Sequence, residues 1–116
     1  MTKTRRAHTF TPRAGVYRIT HLPSGRTLLG ASMHAQGMLN RIQFQLTTRL
    51  ETPSTINGHH LKALQRDWTT DGEAAFRFEV LDELEPDASG GVAPDDLADL
   101  LNLWRAQLAL PPESLY

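Results

Sequence analysis

The chain contains no cysteine. Disulfides, thiolate metal centres and thiol nucleophiles are excluded, and the absence fits a reducing cytoplasm. Its apolar runs fall far short of the roughly 20 residues that a bilayer span requires, so no membrane partner is expected. The opening MTKTRRAHTF is basic but has no apolar segment behind it, which argues against a secretory leader. At 116 residues, with 40% hydrophobic and 22% charged content, the composition is that of one globular domain with a single core.

Acidic residues are nearly missing from the first half. Residues 1–66 hold ten lysines and arginines against one acid, Glu51, a formal charge of +9. Residues 67–116 hold two arginines against twelve acids, a formal −10, so the net charge of −1 conceals a strong polarity. Clustered cations raise the local concentration of polyanions even on a molecule that is neutral overall. Arg5, Arg6, Arg13, Arg18, Arg26, Arg41, Arg49, Lys62 and Arg66 are accordingly the candidate nucleic-acid contacts. The competing expectation is that the two halves fold together and neutralise each other.

The pattern along the chain predicts a β-β-α-α-β-α order. Residues 1–13 are polar and basic and read as a flexible arm, residues 14–110 as the domain, and residues 111–116 as a tail. The stretch GVYRITHLPSGRTLLG, residues 15–30, reads as two strands around Pro23-Ser24-Gly25. Leu39, Ile42, Leu46 and Leu50 recur at helical spacing over about 36–50, and Leu61, Leu64 and Trp68 mark the buried face of a second helix. Phe76, Phe78 and Val80 alternate with Arg77 and Glu79, as on a half-buried strand. A last helix, starting near Asp95, is expected to bury Leu97, Leu100, Leu101, Trp104 and Leu108 before Pro111-Pro112 ends it. The fold class is therefore α+β, a small, mostly antiparallel three-stranded sheet covered by helices.

Gly15-Val16-Tyr17, the later Leu28-Leu29-Gly30, the helical Arg41, and the blocks GHHLKALQRDW and FRFEVLDEL occur in an order that resembles the GIY-YIG nuclease family, especially its short bacterial members. The likeness runs from Gly15 to about Leu108. It implies phosphodiester cleavage with one divalent metal, Mg²⁺ or Mn²⁺, and nucleic acid, DNA rather than RNA, as partner. It also implies roles for three residues. Tyr17 would position or deprotonate the attacking water if a nearby cation lowers its pKa from about 10. Arg41 would hold the scissile phosphate. His59 would serve as an acid/base or phosphate contact.

The departures from the pattern are specific. Leu28 stands where the second triplet carries tyrosine, Gln45 where many members carry histidine, and Leu101 where the last helix carries the metal-binding glutamate. The helical neighbours Leu97, Leu100, Trp104, Arg105 and Leu108 offer no carboxylate in its place. Apart from that implied ion, no metal ligand set or cofactor is evident. The leading expectation is a nucleic-acid-binding relative of these nucleases with weak or lost hydrolysis. The alternatives are an active metal-dependent endonuclease and a protein-interaction module that uses the acidic half.

Overall fold

A computed structural model of the chain describes residues 13–48 and 55–116. Arg5, Arg6 and Arg49 therefore lie outside the described residues, as does all of the arm except Arg13. Strand β1, Gly15–His21, folds back on β2, Thr27–Ser32, through a turn in which Gly25 takes φ +77°. Strand β5, Phe76–Glu83, pairs with the other side of β1. The order is thus β2-β1-β5, antiparallel throughout, with β1 in the centre and β2 at an edge. Tyr17 stands opposite Gly30, and Ile19 opposite Leu28. Because side chains alternate along a strand, these four positions share one face of the sheet.

Helix α1, Ala35–Thr48, lays Ala35, Leu39, Ile42 and Leu46 on that face. Helix α2, Lys62–Asp71, adds Leu64 and Trp68, and Trp68 meets Phe76 and Phe78 at ring separations of 5.2 and 5.9 Å. Each fully buried leucine or isoleucine contributes roughly 1.5–3 kcal/mol relative to exposure, so this face carries most of the fold's apolar stabilisation.

Helix α3, Pro94–Leu108, crosses the opposite face. Asp82 pairs with Val16, which points away from Tyr17, and Trp104 Nε1 donates to Asp82 Oδ2 at 3.1 Å. Asp95 and Asp96 in the first turn and Arg105 in the last complement the helix dipole. The expected burial of its whole apolar stripe is not found. Leu97 alone is buried, whereas Leu100, Leu101, Trp104 and Leu108 are half-exposed, and Leu101 and Leu108 face an open space beside β2.

Two features add to the expected order. Between α1 and α2, Thr55–Ile56 (β3) and His59–His60 (β4) form a miniature hairpin. Its turn residues, Asn57 and Gly58, both have positive φ, 52° and 80°, the combination that a twisted two-residue hairpin turn requires. At the other end of the chain, the residues read as a tail return to β2. The Tyr116 backbone N–H donates to Thr27 O at 3.0 Å, Leu115 bridges Thr27, and the Tyr116 phenol donates to Asp67 Oδ2 at 2.5 Å.

Candidate functional site

Tyr17 is 0% exposed, yet its hydroxyl reaches the β2 edge because Gly30 opposite has no side chain. A Cβ built on Gly30 would stand 2.5 Å from both Tyr17 Oη and His59 Nε2, well inside contact distance. The Asn57-Gly58 turn brings the remaining partners. Asn57 Nδ2 donates to Tyr17 Oη at 2.7 Å and to Ala31 O at 2.9 Å. His59 Nε2 lies 2.8 Å from the same phenol oxygen, and the two rings meet edge to face at 5.8 Å.

Burial pushes the Tyr17 phenol up to about 12, against the opposing hydrogen bond from Asn57. Burial, with Arg105 beside it, lowers the His59 pKa below the usual imidazole value. At neutral pH the pair is therefore a phenol and an uncharged imidazole. Among the described residues Tyr17 O–H has only His59 Nε2 to donate to, since Asn57 supplies a donor of its own. His59 consequently carries its proton on Nδ1. This environment makes Tyr17 a hydrogen-bond donor and a poor base, opposite to the lowered pKa that proton abstraction from water would need.

Next to this cluster a cavity of about 500 Å³ opens beside the outer edge of β2, between the points where Leu115–Tyr116 and Asn57 meet that strand. The Asn57–His59 turn closes one end, Leu101, Arg105 and Leu108 of α3 form a wall, and Leu115 and Tyr116 form another. Arg105 carries the only charged side chain among the described residues that line it. Its Nη1 donates to Asn102 Oδ1 at 3.3 Å, a neutral partner.

Tyr17 and His59 are thus in contact, whereas Arg41 is exposed on α1 and does not line the cavity. Leu28 is 2% exposed and belongs to the core beneath α1. Gln45 is half-buried, and its Oε1 is enclosed with no hydrogen-bond partner among the described residues. Leu101 faces the cavity half-buried, not sealed in the core. Of the basic candidates, Arg13 pairs with Glu85 at 2.9 Å, Arg18 with Glu79 at 2.6 Å, and Arg26 with Asp67 at 3.7 Å, so part of the basic half is neutralised internally. Arg41, Lys62 and Arg66 are exposed and make no hydrogen bond or ion pair among the described residues.

No protein-family profile matches the chain, and neither does any curated protein. Solved structures do. The catalytic domain of the homing endonuclease I-TevI superposes with a TM-score of 0.57 at 19% identity, over 84% of this chain and 89% of that one. A mutant of the same intron-endonuclease domain gives a TM-score of 0.57 at 18% identity, over 84% of each chain. The fold is that of a GIY-YIG catalytic domain.

The GIY-YIG resemblance implies a divalent cation, and the lining residues do not fit one. Mg²⁺ and Mn²⁺ seek carboxylate oxygens. The cavity wall presents Leu101 and a guanidinium, and the described residues contain no group of three histidines, aspartates or glutamates that could hold a metal. Sequence reading left three contributors out of this site. Asn57 was readable from the Asn-Gly turn pair, Arg105 from its place one helical turn after Leu101, and Tyr116 from no local signal.

Proposed function

We propose that this chain is a nucleic-acid-binding domain on a nuclease fold, with weak or lost phosphodiester hydrolysis. The observation that carries this reading is the cavity wall, where His59, hydrogen-bonded to the buried Tyr17, lies with Leu101 and Arg105 and no side-chain carboxylate among the described lining residues; Leu101 is the position at which the resemblance expects the metal-binding glutamate. Without a cation, water activation would fall to Tyr17 and His59. A phenol raised to about 12 and an imidazole hydrogen-bonded through Nε2 supply little of it. Arg105 and the Nδ1–H of His59 remain able to hold a phosphate oxygen.

The exposed Arg41, Lys62 and Arg66 would supply phosphate contacts, and DNA is the expected polymer. Such contacts position a backbone and read no bases. Fluorescence anisotropy with labelled single- and double-stranded DNA and RNA, with and without Mg²⁺ or Mn²⁺, tests the reading. Binding should need no divalent ion and should fall steeply with added salt. Affinity that is flat across the salt range, or absent for all four polymers, would count against it. Arg41→Ala should weaken binding by about 1–3 kcal/mol without unfolding the protein; an unfolded variant would mark Arg41 as structural instead.

A further inference from the structure

We infer that the cavity at the β2 edge is a binding site for a small organic anion, an acidic head group (carboxylate or phosphomonoester) on an apolar body. It shares Arg105 and His59 with the nucleic-acid reading but does not rest on it, since it needs neither a polymer nor the exposed cations of α1 and α2.

The volume, about 500 Å³, lies within the roughly 300–1,000 Å³ typical of small-molecule sites. Its lining is mixed. It combines Arg105 and His59 with leucines: Leu29 of β2, Leu101 and Leu108 of α3, which flank Arg105 on the same helix face, and Leu115 of the terminal segment. Three ligand classes fit poorly. A divalent cation meets a guanidinium and no carboxylate. Inorganic phosphate satisfies Arg105 but leaves the leucine walls in water. A neutral apolar molecule covers the leucines but gains nothing from the guanidinium.

An anion with an apolar body matches both kinds of lining at once. Among the described residues Arg105 has only the amide oxygen of Asn102 as hydrogen-bond partner, at 3.3 Å, which leaves its other N–H groups for a planar or tetrahedral head group. With Nε2 accepting from Tyr17, His59 presents Nδ1–H as a second donor. The apolar body then lies against the α3 and terminal leucines, which explains why the stripe on α3 stops short of the core: those side chains face a space that a ligand can fill.

The test is a titration of the ¹⁵N-labelled protein, followed by amide shifts, with 1-naphthyl phosphate and separately with decanoate. Saturable shifts should concentrate at Gly30, Asn57, His59, Arg105 and Leu115. A response to one probe alone keeps the site and identifies the head group and body that it takes. 1-Naphthol and inorganic phosphate should each bind at least about tenfold more weakly than 1-naphthyl phosphate, as should 1-naphthyl phosphate to Arg105→Gln. Arg105 is exposed, so that variant should melt like the parent. The inference is overturned if neither probe gives saturable shifts, if the shifts track Arg41, Lys62 and Arg66 instead, or if Arg105→Gln or 1-naphthol binds as well as the parent pair. Loss of polymer binding with the probe response intact would remove the nucleic-acid reading alone.

Discussion

Strand β1 supports a histidine-centred cluster at each end of its core face, and the two are built on opposite principles. At its end, His21 is 5% exposed and closed in by acids and a hydroxyl: Nε2 lies 2.6 Å from Asp71 Oδ2, Nδ1 lies 2.6 Å from Ser24 Oγ, and Asp67 stands 3.8 Å away. Near its start, Tyr17 reaches His59 across Gly30, and the charge nearby is the guanidinium of Arg105, with no carboxylate on the cavity wall. The His21 cluster ties the β1–β2 turn to α2 and leaves no space. The His59 cluster leaves a cavity and an unneutralised cation. Around His21 the carboxylates of Asp67 and Asp71 hold structure, whereas the cavity beside His59 is lined by donors and leucines.

Breaking the His21 cluster should cost the most. His21→Ala removes both ring hydrogen bonds and the packing on Phe76 at 4.9 Å, and urea unfolding should show a loss of about 2–4 kcal/mol. A loss within about 0.5 kcal/mol would put the cluster among surface groups. On the cavity side, Gly30→Ala should cost about 1–3 kcal/mol, because the new methyl must push Tyr17 and His59 apart. Tyr17→Phe deletes only the shared hydroxyl and should cost about 1 kcal/mol by the same measurement, since Asn57 keeps its bond to Ala31 O.

The His59 environment also sets a pH dependence. Its folded pKa lies below the unfolded value of 6.5, so on acidification the unfolded chain takes up the proton first. Stability from this group is complete above about pH 6.5 and is lost as the pH falls below it. Melting curves of His59→Gln should therefore fall less between pH 7 and 5 than those of the parent. Equal slopes would mean that the imidazole is not buried as described. The smallest effect is expected for Leu101→Glu. Were Leu101 sealed in the core, this change would cost about 2–5 kcal/mol. Half-exposed and one helical turn from Arg105, it should cost under about 1 kcal/mol.

The elements with strong periodicity were legible in the sequence. The β1–β2 hairpin, the helix marked by Leu39, Ile42 and Leu46, the Leu64–Trp68 face and the strand around Phe78 all appear close to where alternation or helical spacing puts them. The β3–β4 hairpin was not, because two-residue strands carry no periodicity and Gly58 reads equally well as a breaker. The return of Tyr116 to Thr27 is a single long-range pairing that no local pattern encodes. The α3 stripe misled for a different reason: apolar spacing reports which residues share a face but not whether that face meets the core or a cavity. Of the site, Tyr17 and His59 came from the resemblance, whereas the shared Asn57 donor and the Arg105 charge required the fold to bring residues 40 to 90 positions apart together.

The claim that this nuclease fold has exchanged its metal chemistry for anion binding is tested most directly by a plasmid-nicking assay. Purified protein would be incubated with supercoiled DNA in Mg²⁺, in Mn²⁺ and in EDTA, beside the Tyr17→Phe variant. The account predicts the same background nicking in all three conditions and for both proteins. Nicking that appears only with Mg²⁺ or Mn²⁺ and is lost in Tyr17→Phe would contradict it, since the cavity would then be working with a metal that its walls do not fit.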